Sequence, residues 1–240
     1  MINIHSHILF GLDDGAKNMA ESLEMANIAV RDGVKGIIAT PHYGRHFVDY
    51  NTALMKKNFR ILEEQIVAQG LPVTLYPGHE AYLDEFLLKN LKSGNCLTLA
   101  GSRYVLVEIL HIVNLDITKR MLFDIACSQY VPVIAHCERL LEKKEDHHRL
   151  RALREMGCLL QVNVNPLLNT RQPWLKTWMH QGLKEKSISF VADDSHGTSL
   201  RPPMMKQAYE YIFKNIGSSI ADEVLIKNPQ KVISNQSLHV

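Results

Sequence analysis

Short apolar, β-branched runs alternate along the chain with longer segments of helical period, the pattern of successive βα units around a parallel sheet. The spacing predicts strands over Ile2 to His5, Gly36 to Thr40, Val73 to Tyr76, Tyr104 to Glu108, Val131 to Ala135, Leu159 to Val162 and Ser189 to Ala192. Between them it predicts helices over Met19 to Arg31, Thr52 to Gln69, Asp116 to Ser128, Glu145 to Met156, Pro173 to Gly182 and Pro203 to Asn215. Two of these open with proline, whose fixed φ suits the first helical position. Asp222 to Val240 reads as a last short helix with a frayed end. Seven or eight such units fit a closed (β/α) barrel, usually about 250 residues long, with an open doubly wound sheet as the alternative. Neither a Gly-x-Gly-x-x-Gly nor a Gly-x-x-x-x-Gly-Lys-Ser/Thr loop follows any strand, which removes the commonest nucleotide-binding reasons for the open sheet. No repeat, low-complexity tract or linker divides the chain, so residues 1–240 read as one domain.

Composition narrows the class. At 46% hydrophobic and 22% charged residues, the chain has the make-up of a globular protein whose core suffices without staples. Lys and Arg number 27 against 25 Asp and Glu, so net charge gives no electrostatic case for nucleic acid. The chain has no apolar run of about 18 residues and no basic n-region at its start, so neither a membrane span nor a signal peptide is expected. Cys96, Cys127, Cys137 and Cys158 form no Cys-x-x-Cys pair and read as reduced core thiols, which suggests a cytoplasmic protein.

The 12 histidines and the acidic residues at strand ends carry the chemistry. The first strand ends in His5-Ser6-His7, and alternate residues of an extended strand point the same way. The later strands run out into Thr40-Pro41-His42, Gly78-His79-Glu80, Val107-Glu108, Ala135-His136 and Ala192-Asp193-Asp194-Ser195-His196. Six of the seven strands therefore end in His, Glu or Asp, and a barrel gathers those ends on the face where active sites are built. A pocket so crowded with carboxylates repels itself unless cations neutralise it. Asp13-Asp14-Gly15 after the first strand supplies one more oxygen, or is simply an acidic turn. Nine donors, His5, His7, Asp14, His42, Glu80, Glu108, His136, Asp194 and His196, suffice for three ions. Imidazole and carboxylate without thiolate suit Mn, Fe or Zn in a multinuclear catalytic site. Arg139 and Arg201 lie beside these donors, and guanidinium forks match phosphate oxygens. Each could instead be a structural ion pair.

In this order the residues resemble the PHP (polymerase and histidinol phosphatase) superfamily, with His-x-His first and Asp-x-His last. The fuller set narrows the likeness: His5-Ser6-His7 then Asp13-Asp14-Gly15, Gly78-x-Glu80, Arg103-Tyr104-x-Leu106-x-Glu108, Pro132-Val133-Ile134-Ala135-His136-x-Glu138-Arg139, Gln161-Val162-Asn163, and Asp194-x-His196 leading to Arg201-Pro202-Pro203. It is similar to the bacterial manganese-dependent tyrosine-protein phosphatases of the CpsB/YwqE type, which act in capsule and exopolysaccharide synthesis. The resemblance implies a distorted (β/α)7 TIM-like barrel and a trinuclear centre, with Mn2+ first and Fe, Zn or Mg as alternatives. It also implies hydrolysis of phosphotyrosine, by metal-activated hydroxide, on a partner bacterial tyrosine kinase. The nine donors inherit the ligand role and Arg139 and Arg201 the phosphate-binding role. Two features depart from the pattern. Position 3 is Asn where relatives often carry Asp, and Val164-Asn165-Pro166 stands where small polar residues and a His are expected, so the rim of the site is expected to differ. In the loop Tyr43-Gly44-Arg45-His46-Phe47, Tyr43 and Phe47 could form a substrate wall or an aromatic cover.

A cysteine-dependent phosphatase needs an arginine six positions after its thiolate. Here those positions hold Ser102, Val133, Lys143 and Val164, which excludes that mechanism. Asp146-His147-His148 superficially resembles a DHH phosphoesterase motif, but it follows a charged run and reads as a solvated helix start. The competing functions are a PHP small-molecule phosphatase of the histidinol-phosphate kind, a phosphodiesterase, and a non-catalytic metal-stabilised module that docks a kinase.

Overall fold

The computed structural model describes residues 1–44, 52–112 and 114–238. Its strands are β1 (Ile2–Ser6), β2 (Gly36–Ala39), β3 (His42–Tyr43), β4 (Thr74–Pro77), β5 (Glu80–Tyr82), β6 (Tyr104–Glu108), β7 (Val131–Ile134), β8 (Leu159–Asn163) and β9 (Phe190–Ala192). All pair in parallel, in the orders β1-β2-β4 and β3-β5-β6-β7-β8-β9. The seven predicted strands are all present, and two of them continue beyond a break. β2 passes into β3 across Thr40 and Pro41, where the proline removes a ladder donor. β4 passes into β5 at Gly78, where a Cβ would lie 3.0 Å from Ile38 Cγ2 and 3.3 Å from Leu99 Cδ2.

The sheet curls until its first and last strands meet at their C-terminal ends. Asp194 N donates to His5 O at 3.1 Å and His7 N to Ser195 O at 2.9 Å. That seam is made by the segment after β9 rather than by β9 itself, which is the distortion of this barrel. Inside, Ile2, Ile4, Ile38, Tyr104, Leu106, Val133, Leu159 and Phe190 pack into an inner core. Their neighbours of opposite parity, such as Val105, Val107, Leu160 and Val162, face the helices.

The helices in chain order are α1 (Met19–Arg31), α2 (Thr52–Ala68), α3 (Leu87–Ser93), α4 (Leu115–Cys127), α5 (His147–Glu155), α6 (Val164–Asn169), α7 (Pro173–Lys184), α8 (Met205–Asn215), α9 (Ser218–Asp222) and α10 (Asn228–Ile233). The six predicted helices lie within two residues of their expected limits, while α3 and α6 were not foreseen. Pro173 opens α7 as expected, whereas α8 begins two residues after Pro203. The tail is more helical than expected, since α9 and α10 are joined by a π-helical turn at Glu223–Lys227. It closes the floor of the sheet: Val232 joins the inner core, the Tyr104 hydroxyl donates to Gln236 O at 2.6 Å, and Leu238 N donates to that hydroxyl at 3.0 Å. Two expectations need correction. Cys127 is exposed, unlike the other three thiols. Asp146 does begin a helix, but its carboxylate is buried and accepts from Glu142 N and Lys143 N at 3.1 Å each.

Candidate metal centre at the C-terminal rim

The inner surface of each strand is apolar toward the floor and turns polar toward the C-terminal end. β6 shows the simplest case, with Tyr104, Leu106 and Glu108 following one another on the inward face. β1 cannot do this by alternation alone, because Ile4 and His5 are adjacent and both face inward. Its register explains how: Ile2 pairs with Gly36 and Asn3 with Ile37, but Ser6 pairs with Ala39. The one extra residue is a bulge that switches parity, so His5 and His7 both point to the rim. After Ala135 the backbone of His136 turns left-handed (φ 31°, ψ 52°), and Asp194 is left-handed as well (φ 52°). Such a conformation costs about 1–3 kcal/mol at a non-glycine residue and collects at functional sites. At His136 it is held by Gln161 Oε1, which accepts the His136 N–H at 2.9 Å.

All nine sequence-predicted donors converge. His5 Nε2, His7 Nε2, Glu80 Oε2 and Asp194 Oδ1 lie 3.2–3.4 Å apart in five of their six pairings. A tetrahedron with edges of about 3.3 Å has its centre about 2.0 Å from each corner, the bond length of a divalent ion to imidazole or carboxylate. Glu80 Oε2 and Asp194 Oδ1 are buried without any hydrogen bond, an arrangement that is expensive for a carboxylate unless a cation serves it. The residues therefore fit a metal.

Two further groups could each hold an ion: His7, Asp14, His42 and His196, and His42, Glu80 and Glu108. Each pair of groups shares one residue, namely His7, Glu80 or His42. His136 belongs to none of the three, but its Nε2 is 2.7 Å from Glu80 Oε1 and 3.6 Å from Glu108 Oε1. Arg139 Nη2 donates to Asp194 Oδ2 at 2.8 Å. Arg201 Nη2 donates to Asp14 Oδ2 at 3.0 Å, with its Nη1 3.9 Å from the same Asp194 oxygen. Both arginines are about half exposed, so the two guanidinium groups overhang the donors from the solvent side.

A second layer fixes the imidazoles. His5 Nδ1 donates to Gln161 Oε1 at 3.0 Å, and His196 Nδ1 donates to the Asp194 carbonyl at 2.8 Å, which leaves each Nε2 free to bind. His7 Nδ1 lies 2.7 Å from Asp13 Oδ2, and Asp13 also accepts from Gly15 N and His42 N at 2.9 Å each. Sequence reasoning assigned Asp14 from this acidic pair and missed Asp13. Gln161 and Asn163 have a role that the sequence does not assign: Asn163 Nδ2 donates to Asp194 Oδ2 and Gln161 Nε2 to Asn163 Oδ1, both at 2.8 Å. A period-2 reading of β8 could have found them, since polar Gln161 and Asn163 alternate there with apolar Leu160 and Val162. The departure at position 3 has a local partner: Asn3 Nδ2 donates to Asp193 Oδ1 at 2.7 Å. The unexpected Val164-Asn165-Pro166 forms the first turn of α6. Tyr43 stands against the His79 ring, with centroids 4.9 Å apart. Arg45, His46 and Phe47 lie outside the described residues.

Without an ion, burial lowers His196, while His5, His7 and His42, facing the carboxylates, are shifted upward. Burial pushes His7 down, but Asp13 and then Asp194 and Glu80 outweigh it and hold its pKa well above the usual value. His42 is likewise raised, to about 9, by Asp14 and Glu80 against burial. Burial pushes Glu80 and Asp194 up, and the facing histidines bring both below the ordinary carboxylate range. Burial pushes Asp193, which accepts from Asn3 Nδ2 and Met204 N, up to about 6. His79, buried and facing away, is pushed down to about 3 while its Nδ1 accepts from Leu97 N at 2.9 Å.

Residues 1–234 match the family described as capsular polysaccharide synthesis, CpsB/CapC. This chain belongs to the CpsB/CapC family. It is 30% identical over 238 residues to the tyrosine-protein phosphatase YwqE of Bacillus subtilis, covering 99% of this chain and 93% of that protein. It is 29% identical over 240 residues to the tyrosine-protein phosphatase CpsB of Streptococcus agalactiae serotype III, covering 98% and 99%. Among solved structures, one from the study of Bacillus subtilis YwqE and Streptococcus pneumoniae CpsB superposes with a TM-score of 0.91 at 30% identity. The match covers 100% of this chain and 96% of that one, and those proteins are described as unique metal-dependent tyrosine phosphatases. The CpsB/CapC fold is thus the distorted TIM-like barrel expected from the sequence. Among the described residues no helix is long and apolar enough to cross a membrane.

Proposed function

We propose that this chain is a metal-dependent protein-tyrosine phosphatase that removes phosphate from a bacterial tyrosine kinase and so regulates capsule or exopolysaccharide synthesis in the cytoplasm. The observation that carries this reading is the buried four-atom cage, with two carboxylate oxygens that accept no hydrogen bond, lying beneath two half-exposed arginines. His5, His7, Glu80 and Asp194 would hold one ion. His42, Glu80 and Glu108, with His136 beside them, would hold a second, and Asp14, His42 and His196 with His7 a third. Mn2+ is the first choice, and Fe, Zn and Mg are the alternatives. Bound ions would supply positive charge for the phosphoryl oxygens and lower the pKa of a water.

The chain's own residues supply the rest. Arg139 and Arg201 turn their outer N–H groups from Asp194 and Asp14 to the phosphoryl oxygens, matching charge that grows as the ester bond breaks. Asn163 keeps its bond to Asp194 Oδ2 meanwhile, so that carboxylate stays oriented. Asp13 and Gln161 hold His7 and His5 in the orientation that binding needs. A phenolate of pKa about 10 leaves without strong acid assistance. The test is steady-state hydrolysis of a phosphotyrosyl peptide, histidinol phosphate and a phosphodiester by chelated protein reloaded with Mn, Fe, Zn or Mg. Metal-restored preference for the peptide supports the proposal. Preference for histidinol phosphate, or no peptide turnover with any metal, overturns it.

A further inference from the structure

Away from the metal centre, a cleft of about 500 Å³ lies between α5 and α7 on the outside of the sheet, floored by Leu160 of β8. Its walls combine two chemistries. From α7 come Trp174 and Trp178, one helical turn apart, each only partly buried. From α5 and the turn before it come Lys144, Arg151 and Arg154. Arg154 has no acidic partner among the described residues, and Arg151 has only a distant one, Glu155 at 3.9 Å. The one acidic side chain in the wall, Glu185, is engaged by Gln181 Nε2 at 2.8 Å. The charge here is not that of the whole molecule. The wall itself carries three Lys and Arg against one Glu, on a chain whose totals are 27 and 25.

We infer that this cleft is a second, non-catalytic site for phosphotyrosine, engaging a phosphorylated tyrosine of the substrate protein other than the one being hydrolysed. Indole faces stack on a planar ring, and unpaired guanidinium and ammonium groups take the phosphate dianion. A cleft of this size lies within the range of about 300–1,000 Å³ that encloses a ligand of side-chain to drug size. A nucleotide fits less well, because the cationic wall is made of long side chains from a helix face rather than of a glycine-rich loop of backbone donors. Lys144 and Trp174 follow the C-terminal ends of β7 and β8, so this end of the cleft lies on the same side of the sheet as the metal centre. A chain bearing two phosphotyrosines can occupy both sites, and the second contact then gains the effective concentration of a short tether. The inference rests on the phosphatase reading above.

The two tryptophans of the cleft are the only two in the chain, so intrinsic emission reports on this cleft alone. Metal-loaded protein is titrated with a peptide carrying a non-hydrolysable phosphonate analogue of phosphotyrosine, and tryptophan emission is followed. A saturable change is expected, weakened at least tenfold in the Lys144→Glu/Arg154→Glu double variant, whose turnover of para-nitrophenyl phosphate stays at the parent level. On a doubly phosphorylated peptide the same variant raises KM with kcat unchanged. An emission response absent, equally strong with a phosphoserine peptide or a nucleoside monophosphate, or unaltered in the variant overturns the inference. If the parent protein hydrolyses phosphotyrosyl peptides but shows no such response, only the second site falls. If it hydrolyses none, the phosphatase reading itself has failed.

Discussion

Replacing Asp13 by Asn tests whether the layer behind the cage sets its affinity. The substitution keeps the shape of a buried side chain whose two oxygens take three donors: His7 Nδ1 at 2.7 Å, and Gly15 N and His42 N at 2.9 Å. Placing the amide oxygen at Oδ2 preserves the His7 and His42 contacts but turns the amide NH2 onto the Gly15 N–H. The His7 bond falls from charge-assisted to neutral, a loss of about 1 kcal/mol, and one buried donor goes unpaired at about 1–3 kcal/mol. Loss of such an orienting carboxylate typically lowers metal affinity about 10–100-fold, equivalent to about 1.4–2.8 kcal/mol. Proton competition shapes the pH dependence. Asp13 raises the His7 pKa as well as its metal affinity, so at neutral pH the variant loses a competing proton along with part of its grip on the ion. The deficit should therefore be larger at pH 9 than at pH 7. Competition with a chromophoric chelator at both pH values measures it directly. An affinity within twofold of the parent at pH 9, in a variant that folds, would refute the assignment of Asp13 as the orienting group of His7.

Arg139→Ala should lower kcat for a phosphotyrosyl peptide by about 10²–10³-fold while metal content, read by elemental analysis, stays at the parent value, because Asn163 still holds Asp194 Oδ2. Gly15→Ala places a Cβ 2.3 Å from the His7 carbonyl oxygen and 2.5 Å from its Cβ; backbone cannot yield easily, so a loss of about 3 kcal/mol is expected, seen as a melting point lower by about 6–12 °C. In the metal-free protein the His42 pKa rises from 6.5 to about 9, so its contribution to stability is fully present below about pH 6.5 and is lost as pH rises through about 9. Thermal melts of chelated protein should fall across that window, and flat melts would contradict the geometry around His42. Glu80→Gln removes the carboxylate shared by two donor groups, so it should abolish stoichiometric loading by more than one ion.

Period and strand-end chemistry made the barrel and its donors legible, because a closed parallel sheet forces alternation into inside and outside and gathers its C-terminal ends. What stayed hidden depends on single residues of register. Nothing in Ile4-His5 announces that both face inward; that follows from the bulge between Asn3 and Ser6, which pairing with β2 creates. Asp13 and Asp14 are equivalent as a sequence pair, and only the close approach of Gly15 to His7 decides which carboxylate reaches Nδ1 and which faces Arg201. α6 escaped notice because Val164-Asn165-Pro166-Leu167 is too short for a period to emerge. Cys127 shows the limit of composition: a thiol at the end of α4 is exposed although cysteine is among the residues most often buried.

The arrangement of the cage also explains why a pocket with so much buried charge can exist in a stable barrel. Glu80 and Asp194, both fully or almost fully buried, would each be expensive alone. Without an ion they face the imidazoles of His5, His7 and His42, whose affinity for protons they raise against the effect of burial. Were ions bound, the same imidazoles would give up those protons and offer the freed nitrogens as ligands. Histidine is the side chain that can do both near neutral pH, which lysine or arginine in the same positions could not. The apolar floor and the tail that seals it supply the fold, so a rim of this composition could exchange protons for metal without unmaking it.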